Sequence, residues 1–393
     1  MDLRYSDIDE EFRAGLRAWL SEAVPKHGPP PPPGDWPARR TYDTSWQSKL
    51  FDAGYAGLGW PAEYGGAGAP LAQQLIYYEE TAAAGAPPLS ANYVGLMHGG
   101  PTLILEGSDA QKRRYLAPIL KGEEVWCQGF SEPQAGSDLA SLRTRAVRQG
   151  DEYIIDGQKI WSTRAHIADY CELLVRTDPE EAKHGGITWL IMPMDQPGVD
   201  VRPIRTLEGD SDFCELFLQG ARVPVENQVG DENDGWRVAN VTLRFERGTS
   251  FAPHVIELAT QLRRLVAIAV KQGEAWNDIA FRRRVGALSG EIEGLRRLTQ
   301  LCVSEAAASG APSLVGSAVK LRYSEVYQEI GELGMHLLGK NALRGEDLEW
   351  LPVSDMKHDY FWSLQFTISG GTSQVQRNII GERILGQPKE PRA

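Results

Sequence analysis

The chain has 393 residues, 42% hydrophobic and 24% charged, with a formal net charge of −12. That length accommodates two or three domains, and the composition is that of a globular protein rather than a disordered one. The acidic balance argues against nucleic-acid or membrane-surface partners, and no apolar run reaches the roughly 18 residues that span a bilayer, so no membrane insertion is expected. The four cysteines (Cys127, Cys171, Cys214 and Cys302) lie far apart, and the seven histidines show no H-E-x-x-H spacing. Neither a disulfide scaffold nor a metal cluster is expected. The acidic start "MDLRYSDIDEEFRAGLRAWL" is unlike a signal or transit peptide, which predicts a cytoplasmic protein.

Residues 1–122 read as helical. Ile8, Phe12, Leu16 and Leu20 recur every fourth residue and predict one apolar stripe on the first helix. "GPPPPPGDWP" (28–37) predicts a stiff polyproline-like connection, "GLGWPAEYGGAGAP" (57–70) a long loop, and "LAQQLIYYEETAAAG" a further helix. Over 123–232 the texture changes to short β-rich runs such as "VWCQGFSEP", "YCELLVRTD" and "GITWLIMPM". Turn signals at Gln149-Gly150-Asp151 and Asp156-Gly157 separate them, which predicts a compact all-β domain. Over 233–393 the chain is helical again, with segments around 237–272, 278–306, 314–340 and 372–385. The predicted fold class is therefore α+β and multidomain: helices, a β domain, then helices.

Two motifs mislead. "GMHLLGK" (334–340) has P-loop spacing, but Asn341 stands where the Mg²⁺-binding hydroxyl belongs and the flanks read as helix. "SAVK" (317–320) matches S-x-x-K without its S-D-N or K-T-G companions, so it predicts a surface helix. No G-x-G-x-x-G follows a strand, which leaves a Rossmann site unsupported.

Three polar, turn-forming segments remain: "CQGFSEPQAGSDLASLRT" (127–144), "DGQKIWSTRAHIADY" (156–170) and "FTISGGTSQVQRNIIGERIL" (366–385). Hydroxyls and backbone N–H groups in such turns can bond a ring edge or a pyrophosphate, and an indole can cover an aromatic face. Together with "WPAEYGGAG", these segments in this order resemble the acyl-CoA dehydrogenase family over essentially the whole chain. The resemblance implies a helical domain (1–122), a β-barrel domain (123–232) and a helical bundle (233–393). It also implies bound FAD, desaturation of an acyl-CoA substrate in fatty-acid β-oxidation, and transfer of electrons to an electron-transfer flavoprotein. The assembly it implies is a homo-oligomer (dimer or homotetramer) or a paired homologous subunit.

By the same resemblance, Gln128, Phe130 and Ser131 line the flavin and Ser137 sits beside the CoA moiety. Trp161 shields the isoalloxazine, with Ser162 and Thr163 at its edge. Thr372 and Gln374 hold FAD from a helix N-terminus, where the macrodipole favours negative charge. Arg282, in "FRRRVG", corresponds to a pyrophosphate-contacting arginine of the neighbouring subunit, with Val285 where the family usually has Phe. The family's Q-x-x-G-G-x-G-[YF] element is eroded, with His336, Lys340 and Ala342 at its polar and glycine places.

Desaturation of a thioester needs a base for the weakly acidic α-proton and a donor to the carbonyl oxygen. Many family members carry that base as the Glu of an E-G-T motif; here Gly370 stands in its place. Gly370 and Gly371 are expected against the substrate carbonyl through backbone N–H. The family's second base location, a Glu in the helix after the β domain, corresponds to Glu246 in "FERG", followed by Arg247 at a CoA-contacting position. Val238, Val241, Phe245, Gly248, Ala252 and Val255 form an apolar seam, and Glu246 lies about 100° off it. The expected reading is a desaturase using Glu246, with space at residue 370 for a bulky, branched or ring-bearing acyl group. A half-site subunit of a heteromeric enzyme and a flavin monooxygenase or oxidase on the same fold are the alternatives.

Overall fold

The computed structural model describes residues 5–246, 252–309 and 313–389. The chain divides into two compact units, one of residues 17–70 and 84–245, the other of 1–16, 71–83 and 246–393. Helix α1 (Asp7–His27) contributes to both. Its stripe is shorter than the periodicity predicts: Leu16 and Leu20 are buried, but Ile8 is 71% exposed. Ile8 lies in the first turn of the helix.

In the first unit, α2 (Trp36–Asp52) starts where the Asp35 carboxylate accepts from the Ala38 N–H at 3.1 Å, with Pro37 in the first turn. Helix α3 (Leu71–Ala83) belongs to the other unit. A π-helical turn, Gly95–Gly99, runs into α4 (Gly100–Glu106). Helix α5 (Asp109–Lys121) opens on a capping box: Ser108 and Gln111 each bond the other's backbone N–H, at 2.9 and 3.2 Å.

The β region forms one eight-stranded sheet. Its strands are β1 (Trp126–Gly129), β2 (Arg145–Gln149), β3 (Glu152–Thr163), β4 (Tyr170–Arg176), β5 (Ile187–Pro193), β6 (Val199–Ile204), β7 (Phe213–Pro224) and β8 (Gln228–Val229). The spatial order is β6-β7-β3-β2-β4-β5-β8, with β1 laid parallel on β4. Gly150 turns the β2–β3 hairpin at positive φ as predicted. Asp156-Gly157 is not a turn, however: it lies inside β3, where the register against β7 shifts by a bulge. Cys127, Tyr153, Ile155, Cys171, Leu173, Met192 and Leu216 fill the core of the sheet. All four cysteines are buried and unbridged.

Asn92 ties the helices to β1. It is 1% exposed, its amide donates to the carbonyls of Ile119 and Glu124, both at 3.0 Å, and its Oδ1 accepts from the Trp126 N–H at 3.2 Å.

Helix α6 (Gly235–Glu246) lies in the first unit up to Phe245. The second unit holds α7 (Ala252–Gln272), α8 (Glu274–Asn277), α9 (Ile279–Ser309), α10 (Gly316–Leu338), α11 (Val353–Gln365) and α12 (Ser373–Ile379). Leu258, Leu262, Phe281, Leu295, Tyr323, Val326 and Leu333 form its core. Leu75 of α3 packs with Val303 of α9, and Arg13 of α1 pairs with Glu79 and Glu80 of α3 at 3.0 and 2.9 Å. "SAVK" is helical but not superficial, since Ser317 and Lys320 are 4% and 1% exposed. Helix α11 has no counterpart among the predicted helices; its mixed polar and aromatic sequence shows no clean apolar stripe.

Among the described residues no helix is long and apolar enough to cross a membrane, and no cluster of His, Cys, Asp and Glu could hold a metal ion. Replacing Asn92 by Ala takes the amide donor from the Glu124 carbonyl and the acceptor from the Trp126 N–H, whereas the Ile119 carbonyl keeps Gln47 Nε2 at 2.6 Å and the Gly122 N–H at 3.1 Å. Chemical denaturation of Asn92→Ala is therefore expected to show a loss of about 1–3 kcal/mol.

Candidate functional site

The first site-bearing segment, 131–144, is fixed by an ion pair that the sequence did not announce. Glu132, 4% exposed, accepts from the backbone N–H groups of Arg143 (2.7 Å) and Thr144 (2.8 Å), from Gln134 (2.6 Å), and from Lys159 Nζ (2.9 Å). Lys159 has no exposed surface and also donates to the Phe130 carbonyl at 3.1 Å. Burial pushes the Glu132 carboxyl up, but the adjacent ammonium and the N–H donors outweigh it and hold it below the ordinary range. Burial dominates for Lys159 and lowers it, with Glu132 opposing. Arg176 adds a hydrogen bond to the Ala140 carbonyl at 2.7 Å. Ser137 stands exposed on this anchored loop.

The second segment is the end of β3, which runs beside the first, as the Ile160 N–H donates to the Ser131 carbonyl at 3.0 Å. Between Lys159 and Ser162 the register against β7 slips. In this bulge Trp161 adopts φ 63°, a conformation L residues with bulky side chains rarely hold, and its indole is 56% exposed. The ring meets Phe213 edge-on at 6.0 Å. Ser162 next to it is fully buried, and its Oγ has no hydrogen-bond partner among the described residues. Thr163 is partly buried. A strained, exposed indole plate with an unsatisfied hydroxyl beside it fits a flat ring system with polar edges. Phe130 is buried at 3% exposure, while Gln128 is partly accessible and donates through Nε2 to Glu172 at 2.7 Å.

The third segment lies in the second unit. Gly370 (φ 62°) and Gly371 (φ 87°) are both left-handed, and a Cβ on Gly371 would come within 2.9 Å of Gln376 Nε2. Lys320 Nζ donates to the carbonyls of Phe366 (2.8 Å) and Gly371 (2.6 Å), and Gln376 Nε2 donates to that of Gly370 (2.9 Å). Lys320 and Gln376 are 1% and 0% exposed, so both carbonyls of the turn face inward onto buried donors. Because a trans peptide carries its N–H opposite its C=O, the N–H groups of Gly371 and Thr372 face the other way. Thr372 caps α12, its hydroxyl oxygen accepting from the Val375 N–H at 3.2 Å, which leaves its O–H to donate elsewhere. Gln374 is exposed on the first turn of α12, and Arg282 is exposed near the start of α9. The rings of His254, Tyr323 and Tyr327 surround Phe366, at 5.4–5.7 Å. The backbone of Glu246 closes α6; its side chain, and Arg247 and Gly248 entirely, lie outside the described residues.

The three parts of the sequence match the profiles described as acyl-CoA dehydrogenase N-terminal domain (residues 6–123), middle domain (127–221) and C-terminal domain (233–385). The chain is 38% identical to acyl-CoA dehydrogenase IpdE1 of Mycobacterium tuberculosis, over 97% of this chain and 98% of the relative. It belongs to the acyl-CoA dehydrogenase family. It is accordingly an oxidoreductase, with helical N- and C-terminal domains around a middle sheet domain. Among solved structures, it is similar to the Tcur3481–Tcur3483 steroid ACAD, with a TM-score of 0.83, 30% identity, and coverage of 99% of this chain and 100% of the other. It is also similar to the ChsE4–ChsE5 complex of M. tuberculosis, with a TM-score of 0.82, 33% identity, and coverage of 99% and 100%.

Sequence reasoning missed the residues that hold these segments: Glu132, Lys159, Lys320 and Gln376. Glu132, Lys159 and Gln376 lie inside the quoted polar segments without standing out there, and Lys320 drew notice only in "SAVK", for a different chemistry. Glu132→Gln leaves the Lys159 ammonium buried without its counter-charge, so urea unfolding is expected to show a loss of about 3–5 kcal/mol. Burial pushes His254 down to about 4, so the folded protein favours its neutral form. Its contribution is complete above the ordinary pKa of about 6.5 and is lost as pH falls toward 4. His254→Phe should therefore flatten the stability–pH curve between about pH 6.5 and 4, by about 2–3 kcal/mol, when unfolding is followed across that range.

Proposed function

We propose that this chain is a subunit of an FAD-dependent acyl-CoA dehydrogenase that forms a trans-2 double bond in a CoA thioester with a bulky, ring-bearing acyl group. In this reading the domains divide at 1–122, 123–232 and 233–393, and an electron-transfer flavoprotein takes the electrons. The observation that carries the substrate class is the turn at Gly370. It is left-handed, is braced through its carbonyls by Lys320 and Gln376, and lacks the side chain that many relatives carry there as a Glu. The similarity to a structure described as a steroid ACAD supports the same class.

The bound FAD supplies the acceptor for the β-hydride. On the β-domain side Trp161, Ser162, Thr163, Gln128, Phe130 and Ser131 would hold it. Thr372 and Gln374 would hold it from the start of α12, and Arg282 would serve the pyrophosphate of a neighbouring subunit's FAD. Backbone N–H groups of the Gly370–Gly371 turn bond the thioester oxygen, which acidifies the α-carbon. Ser137 and Arg247 bind the CoA portion, and the Glu246 carboxylate removes the α-proton. A neighbouring homologous subunit, rather than a second copy, completes the assembly. The likeness to the ChsE4–ChsE5 complex and the changed residues His336, Lys340 and Ala342 support that pairing.

The test measures reduction of a ferricenium-type acceptor by ring-bearing and linear acyl-CoAs, with the chain expressed alone and with a co-expressed homologue. Turnover of ring-bearing thioesters is expected, and Glu246→Gln should lower kcat about 10²–10⁴-fold without changing the visible flavin spectrum. Full activity in that variant would remove Glu246 as the base. A yellow, active homo-oligomer from the chain alone would remove the heteromeric pairing.

A further inference from the structure

Behind the strand that carries Gln128 lies a polar cluster, two of whose members, His98 and Glu172, have no part in the proposed reaction. Along β1 and its partner β4, Cys127, Cys171 and Leu173 point into the core of the sheet. Gln128 and Glu172, which lie opposite each other in register, therefore stand on the other face. The π-helical turn Gly95–Gly99 rests on that face, so close that a Cβ on Gly99 would come within 2.9 Å of the Trp126 ring. From this turn His98 reaches in, 4% exposed, with Nδ1 3.5 Å from Glu172 Oε1 and 3.4 Å from Gln128 Nε2. Glu172 has no exposed surface. Single-turn π-helices inside helices occur frequently at functional sites, and here three separate elements converge to place polar groups among apolar neighbours.

The chemistry fixes what the cluster presents. A carboxylate only accepts hydrogen bonds, so the 2.7 Å contact requires the NH₂ end of Gln128 to face Glu172. The carbonyl Oε1 of Gln128, the partly accessible member, is thereby turned away from the cluster as a fixed acceptor. We propose that Gln128, oriented by Glu172 and His98, accepts a hydrogen bond from a hydroxyl group on the ring system of the acyl chain. This specificity subsite rests on the ring-bearing reading above. Glu172 and His98 are positioning residues, and Gln128 is the contact. A purely structural network would hold the strand equally well and would be indifferent to the hydroxyl.

The test compares the flavin-loaded assembly on two ring-bearing acyl-CoAs that differ only in one ring hydroxyl, with a linear acyl-CoA as reference. The wild type is expected to prefer the hydroxylated thioester by about 10–100-fold in kcat/KM, carried mainly by KM. In Glu172→Gln, which keeps the side-chain volume but frees the Gln128 amide to reverse, that preference should fall to within about twofold. Calorimetric binding of the two enoyl-CoA products to the wild-type protein gives the same ratio without a variant, so a poorly folding Glu172→Gln does not decide the matter. Equal use or binding of the two ring substrates by the wild type overturns the subsite and leaves the ring-bearing function standing. A preference that survives unchanged in a well-folded Glu172→Gln overturns the orienting role. Turnover confined to the linear thioester removes the ring-bearing reading itself, and the subsite with it.

Discussion

A lysine ammonium inside a β-sheet is tolerable only beside a carboxylate with its remaining lone pairs filled, and the pairing of Lys159 with Glu132 meets that condition. Glu132 lies in the loop after β1 and Lys159 lies in β3, so the pair locks one to the other. Phe130 and Ser131 are thereby held beside Ile160 and Trp161. The bulge at Trp161 follows from the same anchorage. Held on one side by a buried ion pair and on the other by β7, the strand sustains a left-handed tryptophan that a free loop would relax.

The cradle in the second unit follows the same logic with different groups. A turn with two successive left-handed residues has no hydrogen-bonded ladder to hold it, so Lys320 and Gln376 hold its carbonyls from inside. The opposite face of the turn is then made of backbone N–H groups, whose direction is set by peptide planarity rather than by any side chain. These holding contacts reach backbone carbonyls, so they do not depend on a side chain at residue 370.

Much of the architecture was legible because it depends on local pattern. Short β-rich runs separated by turn signals marked the sheet, unbroken helical texture marked α3, α9 and α10, and Gly150 marked a hairpin whose backbone needs positive φ. The errors have identifiable causes. Asp156-Gly157 carries turn chemistry, yet pairing with β7 on one side and β2 on the other absorbed it as a bulge. Ile8 follows the helical period but is 71% exposed. Lys320 looked like a surface residue because lysine is usually solvated, and its burial depends on carbonyls more than forty residues away in sequence.

The sequence by itself determined the order of helical and β segments, the family, and the chemical character of the three polar stretches, because these reside in composition and spacing along the chain. Tertiary structure alone decided which polar side chains face inward and which partners they take there. Glu132 with Lys159, Lys320 with Gly371, and Glu172 with Gln128 and His98 are separated by tens of residues. A buried charge is stable only where the fold delivers its counter-group, and no local signal in the chain records that delivery.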